Sequence, residues 1–510
     1  MKRYWKQPMV CREFLIRSLV VLAVVIAGVL TSSVSAKAMD KVGLDPGSKP
    51  RLMVLTDISS IKAGVREADD AQSMIRLMLY SNEFDIEGLI ASSSLQHGHV
   101  VRPGNIRAIV DAYGKDWPNL VQNNENYPNP DQLRQVIKSG QPNADEDMPV
   151  YQSIGRGKST PASKWIIRMV DKPDARPLWI TIWGGSADLA QALWKVRNTR
   201  SRDEVENFVS KIRVIASGDQ DSTGPWIKSH FPDLFYATRS EGGRGIYRGG
   251  NQRLVSSAWG QNNIKGHGAL GAIYPDYRGG DIWSYKLGKV RGIKSGDSAT
   301  FMGLIRNGLN IRGHLNWENW GGRLMQDANN PHRYHDAIDA VGDYKTDVSP
   351  YLAAVYRWRP AFQADYAARF DWCIKSYAEA NHAPIGNNSV TYIQDITSGQ
   401  TIKLRSGDWR DPDGNRLIFR WQVLEEESTY PGDIAIFTQY PQPGQRFPNW
   451  RNTARDVKQA KTEKQYSRTA HLNAPVVDRR RSVHVLLTVT DTGYPALSSY
   501  KRFNLIIHPK

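Results

Sequence analysis

Apolar residues in the first part of the chain form short unbroken runs that alternate with helical patterns. Residues 52–55 predict a strand buried on both faces, residues 74–78 carry apolar side chains at helical spacing, and residues 86–91 predict the next strand. The alternation repeats where the apolar run 177–183 is followed by the helical pattern 187–196. Strands that alternate with helices predict an α/β domain built on a parallel sheet.

The periodicity changes toward the end of the chain. After a helical pattern at 351–380, the residues alternate with period two or form apolar runs that are separated by Pro, Gly and Asp. These runs, at 401–404, 416–423, 482–490 and 502–507, predict a β-sandwich. The expected organisation is a signal peptide at 1–36, an α/β domain at 45–350, a helical connector at 351–382 and an immunoglobulin-like β-sandwich at 383–510.

The first residues have the form of a secretory signal. Basic residues precede an apolar run at 19–30, and Val34-Ser35-Ala36 has the small side chains of a cleavage site. No later segment is long and apolar enough to span a membrane, so we expect a secreted or periplasmic protein without an integral membrane segment after cleavage. Of the two cysteines, Cys11 lies in this signal, which leaves Cys373 without a partner for an internal disulfide.

The composition favours a carbohydrate partner over a nucleic acid. The net charge is +16, but the basic residues are scattered or paired with acids, and no nucleic-acid module is present. The chain has 16 tryptophans and 22 tyrosines. Such residues most often pack in a hydrophobic core, but they also line carbohydrate sites, where their rings stack on sugars. The composition leaves the oligomeric state open.

Three carboxylates are expected to meet at one edge of the predicted sheet. Asp57 follows the first strand, and Asp69 and Asp70 precede the next helix. Ligands of parallel sheets bind beyond the carboxyl ends of the strands, and ligation by oxygen alone favours calcium or magnesium. The alternative is that the Asp-Asp pair only caps the helix.

The predicted β-sandwich offers two weaker signals. Residues 408–415, DWRDPDGN, favour tight turns, with a calcium site as the alternative. Trp409, Trp421 and Trp450 could form a platform for stacking sugars, but Trp421 lies within an alternating strand and is predicted to belong to the core.

The acidic residues and several segments resemble known families. Asp57 after a strand, with Asp69-Asp70 at a helix start, resembles the N-terminal signature of nucleoside hydrolases. Residues 183–190, WGGSADLA, resemble that family's Gly-Pro-Leu-Thr-Asn-Leu-Ala segment, and Gly296-Asp297-Ser298 stands in place of its late His-Asp. A closer resemblance is to secreted bacterial cellulose-binding proteins that join a nucleoside-hydrolase-like domain to a C-terminal β-domain. The segments that carry it are YSNEFDIEG from Tyr80, DQDSTGPW from Asp219, GHGALG from Gly266, WGGR from Trp320 and DPDG from Asp411.

The resemblance implies a calcium site with glycosidase chemistry. It assigns Asp57, Asp70, Asp297 and the backbone carbonyl of Ala187 as calcium ligands, with Asp57 also serving as the base that activates water. It implies that Asp69 accepts a hydrogen bond from a sugar hydroxyl. The loop that contains Asp219 and Asp221 would supply further substrate contacts.

The sequence also departs from the nucleoside hydrolases. Leu55 replaces the first Asp of the motif, and the gap from Asp57 to Asp69 is longer than in that family. Gly296 replaces the late His that assists departure of some nucleobases. Candidate acids for a sugar leaving group are His267, Glu318 and Glu241, each of which is otherwise a structural or solvated residue.

Three functions follow, in order of preference. The first is a calcium-dependent glycosidase that acts on a furanoside or plant-wall glycan by water attack. The second is a non-catalytic protein that binds cellulose or another polysaccharide. The third is a nucleoside hydrolase, which the export signal, the β-domain and Gly296 disfavour.

Overall fold

The computed structural model describes residues 48–62, 69–93, 99–145, 147–277, 292–309, 314–339, 350–386, 392–438 and 467–510. The predicted signal peptide and Trp450 lie outside these residues. Among the helices in the described ranges, none combines the length and the apolar character needed to cross a membrane.

An eight-stranded sheet forms the centre of the first domain. Its strand order is β3-β2-β1-β4-β5-β6-β8-β7, and neighbours pair in parallel except β7, which is antiparallel to β8. The strands are β1 (Arg51–Thr56), β2 (Asp85–Ala91), β3 (Ile137–Ser139), β4 (Leu178–Ile182), β5 (Ile212–Ala216), β6 (Phe235–Thr238), β7 (Leu324–Gln326) and β8 (Arg333–Asp336). The predicted α/β domain with a parallel sheet is confirmed.

Helices connect these strands and cover both faces of the sheet. Along β1, Leu52 and Val54 belong to one apolar core, whereas Met53 and Leu55 belong to a second core on the opposite face. The helices are α1 (Asp69–Leu79), α2 (Pro103–Asn123), α3 (Pro130–Gln135), α4 (Val150–Ser153), α5 (Pro161–Asp171), α6 (Ala187–Thr199), α7 (Arg202–Ser210), α8 (Thr223–His230), α9 (Ser257–Asn263), α10 (Gly268–Ile273), α11 (Ala299–Met302), α12 (Ala353–Tyr356) and α13 (Arg359–Asp371).

The helical segment that was expected as a connector packs into the core of the α/β domain. Phe362, Tyr366 and Phe370 of α13 share the apolar core of α1. The buried Arg76 of α1 lies with its guanidinium 3.8 Å from the Tyr366 ring centroid and donates a 2.9 Å hydrogen bond to Gln363. This segment therefore closes one face of the first domain.

The C-terminal domain consists of β-strands around one core. A four-stranded sheet has the order β10-β16-β15-β13, with β10 parallel to β16 and the other pairs antiparallel, while β11 pairs with β14 and β9 with β12. Side chains of the four-stranded sheet and of the β11–β14 pair share one apolar core. The strands are β9 (Ile385–Gly386), β10 (Tyr392–Thr397), β11 (Thr401–Arg405), β12 (Trp409–Arg410), β13 (Leu417–Leu424), β14 (Thr469–Asn473), β15 (Arg481–Asp491) and β16 (Ser498–His508).

The structure confirms two predictions for this domain: that Trp421 lies in its core and that residues 408–415 contain a turn. Trp421 is 2% exposed and packs in the core, where Trp409 is buried as well, so neither ring offers a free face. The carboxylate of Asp411 accepts hydrogen bonds from the backbone N–H groups of Asp413 and Asn415 at 3.0 and 2.8 Å. The acidic segment therefore shapes a turn.

A buried group of charges lies where the two domains meet. We call the carboxylates Glu318, Asp339, Glu426 and Glu427 the junction cluster. They contact three arginines, which are Arg323, Arg357 and Arg502. Arg502 of β16 also donates to the carbonyl of Leu309 at 3.0 Å, and this bond ties the β-domain to the first domain.

Candidate active site

A cavity of about 270 Å³ opens at the carboxyl edge of the parallel sheet. Its walls come from residues that directly follow β1, β4, β5 and β6, together with the start of α1 and two later loops. This is the edge where open α/β sheets bind their ligands. The lining residues are Asp57, Asp69, Asp70, Trp183, Ser217, Gly218, Asp219, Gln220, Arg239, Ser240, Gly243, Arg244, Tyr247, Lys294, Gly296 and Asp297.

Four of the lining residues form what we call the pocket cluster, Asp57, Asp69, Asp70 and Asp297. Carboxylate oxygens of Asp69, Asp70 and Asp297 all lie within 4.8 Å of one another. Asp57, Asp70 and Asp297 are buried, and Asp69 is half-buried. The convergence of Asp57, Asp69 and Asp70, predicted from the strand and helix pattern, is present at the cavity.

Local structure positions each carboxylate. Asp57 leaves the end of β1 beside Gly184, where a Cβ atom would overlap the Asp57 carboxylate, so the loop after β4 needs glycine at this position. Asp70 lies in the first turn of α1 and accepts a hydrogen bond from the hydroxyl of Thr56. Asp297 lies in the short 3₁₀ helix Gly296–Ser298.

Two carboxylates of the pocket cluster have raised pKa values. Burial raises the pKa of Asp70, and the neighbouring carboxylates raise it further. Burial and the Asp69 charge likewise raise the pKa of Asp297. The ammonium of Lys294 lies 3.2 Å from Asp69 and supplies one positive charge.

The donor set fits a hard divalent cation. The buried Oδ1 atom of Asp69 accepts no hydrogen bond from the described residues, and one oxygen of this carboxylate lies within 4.8 Å of oxygens of Asp70 and Asp297. Calcium prefers several oxygen ligands, most often carboxylates, and a cation would remove the mutual repulsion of these groups. Oxygens of Asp69, Asp70 and Asp297 lie close enough together to contact one ion, and Asp57 lines the same cavity.

The loop after β5 brings one of its two predicted residues to the cavity. Asp219 lines the cavity and contacts Lys228 through its carboxylate. Asp221 is buried behind the wall, where it accepts hydrogen bonds from the backbone N–H of Thr223 at 2.9 Å and from Ser186 at 3.2 Å. Asp221 therefore supports the loop from within.

The remaining candidates are not among the residues that line the cavity. His267 lies 3.2 Å from Asp371, and this contact raises the pKa of His267. Glu318 is fully buried in the junction cluster, where it accepts a 2.7 Å hydrogen bond from Arg357. Glu241 pairs with Arg244, and Ala187 begins α6. The structure does not bring these side chains, or the Ala187 backbone, to the cavity.

Several lining residues were missed by the sequence reasoning. Ser217 and Arg239 directly follow β5 and β6. Because ligands of parallel sheets bind beyond the carboxyl ends of the strands, the argument that predicts Asp57 also predicts these two residues. Tyr247 and Lys294 lie on loops, and no local pattern marks them. Trp183 is the first residue of the WGGSADLA segment that resembles the nucleoside hydrolases. Its indole N–H donates a 2.9 Å hydrogen bond to Thr300, which holds the ring in the cavity wall.

Comparison with known families gives two matches along the chain. Residues 51–324 match the model described as cellulose-binding Sde182, nucleoside hydrolase-like domain. Residues 401–508 match the model of the C-terminal domain of cellulose-binding protein Sde0182. No curated protein matches the chain.

The solved structures that match this chain include the following two. One is a nucleoside hydrolase-related hypothetical protein from Saccharophagus degradans that is associated with carbohydrate metabolism. It is 28% identical, has a TM-score of 0.70, and the match covers 90% of this chain and 100% of that one. The other is the inosine-uridine preferring nucleoside hydrolase from Bacillus anthracis, at 12% identity and a TM-score of 0.32, with 64% of this chain and 100% of that chain covered.

Proposed function

The chain belongs to the cellulose-binding Sde182 family with a nucleoside hydrolase-like domain, and from this premise we propose that it is a secreted, calcium-dependent glycosidase. Its substrate would be a furanoside or another plant-wall glycan. The observation that carries the proposal is the pocket cluster, whose oxygens from Asp69, Asp70 and Asp297 lie within 4.8 Å of one another in a cavity at the carboxyl edge of the sheet.

The side chains of the cavity suit hydrolysis by direct attack of water. Asp57, Asp70 and Asp297 would hold the calcium ion, which when bound supplies a fixed positive charge that orients sugar hydroxyls and a water molecule. Asp57, positioned by the end of β1, accepts the proton of that water. Asp69 accepts a hydrogen bond from a sugar hydroxyl. As the glycosidic bond breaks, its electron pair leaves with the oxygen of the leaving group, which takes a proton from solvent water. The carboxylates also stabilise the positive charge that develops on the sugar ring.

A second candidate is binding of cellulose or another polysaccharide without turnover. The family description supports it, and so does the composition of the cavity. Gly296 stands where nucleoside hydrolases have the late His, and no histidine lines the cavity among the described residues. A leaving group that needs a proton therefore finds no histidine among these lining residues.

Product release by the full-length protein distinguishes the glycosidase from the non-catalytic binding protein. The panel contains furanosides, plant-wall oligosaccharides and nucleosides, with calcium present and then chelated. We expect calcium-dependent release of sugar, and Asp57→Asn should lower turnover about a thousandfold or more because the water loses its base. The control Asp203→Asn changes an exposed carboxylate on α7 and should leave turnover unchanged.

The possible results separate the candidates. Full turnover in Asp57→Asn would contradict the role of Asp57. A folded wild-type protein that binds polysaccharide but releases no sugar would favour the non-catalytic function, and release of free nucleobase would favour nucleoside hydrolysis.

A further inference from the structure

Three aromatic rings form a stack where the α/β domain meets the β-domain. The ring centroids of Tyr377 and His382 are 3.9 Å apart with planes 19° from parallel, and those of His382 and Trp372 are 5.2 Å apart at 24°. Trp372 is buried and donates its indole N–H to the carbonyl of Asn381 at 3.0 Å. Trp372 is therefore the inner ring and Tyr377 the outer one.

Both domains hold the middle ring in place. The Nδ1 atom of His382 lies 2.9 Å from the Asp413 carboxylate of the β-domain, and its Nε2 atom lies 3.1 Å from the Asn123 side chain of α2. The His382 backbone N–H also donates to Asp413 at 2.6 Å. With both nitrogens engaged, the ring cannot rotate without breaking these bonds, so the Tyr377 ring lies on a fixed support.

The outer ring offers a free aromatic surface. Tyr377 is 44% exposed, and because one face covers His382, the exposed part consists of the opposite face and the edge. Ile374, three positions before Tyr377, and Ile385, three positions after His382, are exposed to a similar degree. Ile385 pairs across the strands with Arg410. An open aromatic face together with exposed apolar side chains favours a binding surface.

Polar groups lie beside this surface. Arg410, Asp411 and Asp413 are close enough to Tyr377 to act on its hydroxyl electrostatically. A second exposed tyrosine, Tyr494, precedes Pro495, whose carbonyl accepts a 2.8 Å hydrogen bond from Asn381, the residue before His382. The combination is a planar ring with donors and acceptors at its edge.

We propose that this surface, the Tyr377 platform of Ile374, Tyr377, Ile385 and Arg410, binds the face of a β-linked glucan chain. A pyranose ring presents C–H groups on its face and hydroxyls at its edge, so it can stack on Tyr377 while its hydroxyls bond to the flanking polar groups. The platform shares no residue with the cavity. It rests on the glycan-binding part of the proposed function and gives that function a second contact with its substrate.

Retention on microcrystalline cellulose and on a soluble cellulose derivative tests the platform, with the full-length protein. Tyr377→Ala should weaken binding about tenfold or more, the scale expected when an aromatic anchor is lost. Tyr377→Phe keeps the ring and should bind nearly as well as the wild type. Tyr151→Ala removes a more exposed tyrosine on α4 and should change nothing.

A second measurement needs no variant. Nitration of wild-type tyrosines with and without cellohexaose should show protection of Tyr377 and none of Tyr151. Equal nitration of Tyr377 in both samples, or full retention of folded Tyr377→Ala, would overturn the platform while leaving the proposed function intact. Failure of the wild type to bind any glucan would also overturn the platform, whereas the proposed function would be overturned only if the protein also bound and released no sugar from the furanosides and plant-wall oligosaccharides of the panel.

Discussion

The pocket cluster and the junction cluster, both in the described part of the chain, differ in the cations around them. The junction cluster has four carboxylates in contact with three arginines, and His484 lies 3.3 Å from Glu427. The pocket cluster also has four carboxylates. Lys294 lies 3.2 Å from one of them, Asp69, and the pKa values of Asp70 and Asp297 are raised. Removing a cation from the junction cluster would leave a buried charge without its partner, whereas carboxylates with raised pKa values at a cavity are suited to bind a cation.

The two clusters are nevertheless similar in geometry. In each, three carboxylates bring oxygens within 4.8 Å of one another. In the junction cluster, however, Arg357 lies 2.7 Å from Glu318 and 2.9 Å from Glu426, so a guanidinium occupies the place of a metal ion. Burial raises the pKa of Glu318 even so, although Arg357 opposes the shift. Acidic residues alone therefore do not identify a metal site; the positions of the cations decide.

The largest expected effect is on the junction. Arg502→Met should lower the free energy of unfolding by about 3–5 kcal/mol, because it leaves Glu427 buried without its main partner. Urea denaturation measures the loss. Arg420→Met on β13 removes an exposed arginine and should cost less than about 0.5 kcal/mol. If the two variants were equally stable, the junction cluster would not be a stabilising ion-pair network.

Acid should weaken the junction selectively. Burial opposes ionisation of Glu427, but Arg502 and His484 outweigh it and lower the pKa of Glu427 to about 2. Because the folded-state pKa is below that of the unfolded chain, the stabilisation is complete above about pH 4.5 and is lost as the pH falls toward 2, up to about 3 kcal/mol.

The check compares wild type and Glu427→Gln by urea denaturation from about pH 6 down to the lowest pH at which both remain folded. The stability difference between them should shrink as the pH falls. A difference that stays constant with pH would show that the Glu427 charge does not stabilise the junction.

The pocket cluster should respond in the opposite direction. In calcium-free buffer, Asp70→Asn should raise the free energy of unfolding by about 1–2 kcal/mol, because it removes one of four mutually repelling carboxylates while its side-chain oxygen can still accept from Thr56. Thermal and urea unfolding in the presence of a chelator measure the change. A clear loss of stability would mean that the pocket carboxylates are already compensated within the protein.

The sequence predicts the pocket better than the junction. Asp57, Asp69 and Asp70 follow from local patterns, because strand ends and helix starts of a parallel sheet meet at one edge. Asp297 was reached through the family resemblance, and Lys294 was missed because only the folded loop brings it to Asp69. Glu318 was a candidate acid from its sequence position alone.

The partners of Glu318 explain why the junction was not foreseen. Arg357 is 39 positions away, and Glu427, which accepts from the Glu318 backbone, is 109 positions away in the other domain. No periodicity encodes such contacts. The folds of both domains were predicted because apolar runs and alternation are local patterns. The packing of α13 onto α1 was not predicted, because it depends on contacts between residues far apart in the sequence.

Calcium titration by calorimetry tests the central claim most directly. We expect one calcium ion to bind to the wild type and to the junction variant Glu426→Gln with similar affinity. Binding to Asp70→Asn should be weaker by about a hundredfold, since a buried ligand is lost. No binding by the folded wild type, or equal binding by Asp70→Asn, would contradict the assignment of the pocket cluster as the cation site.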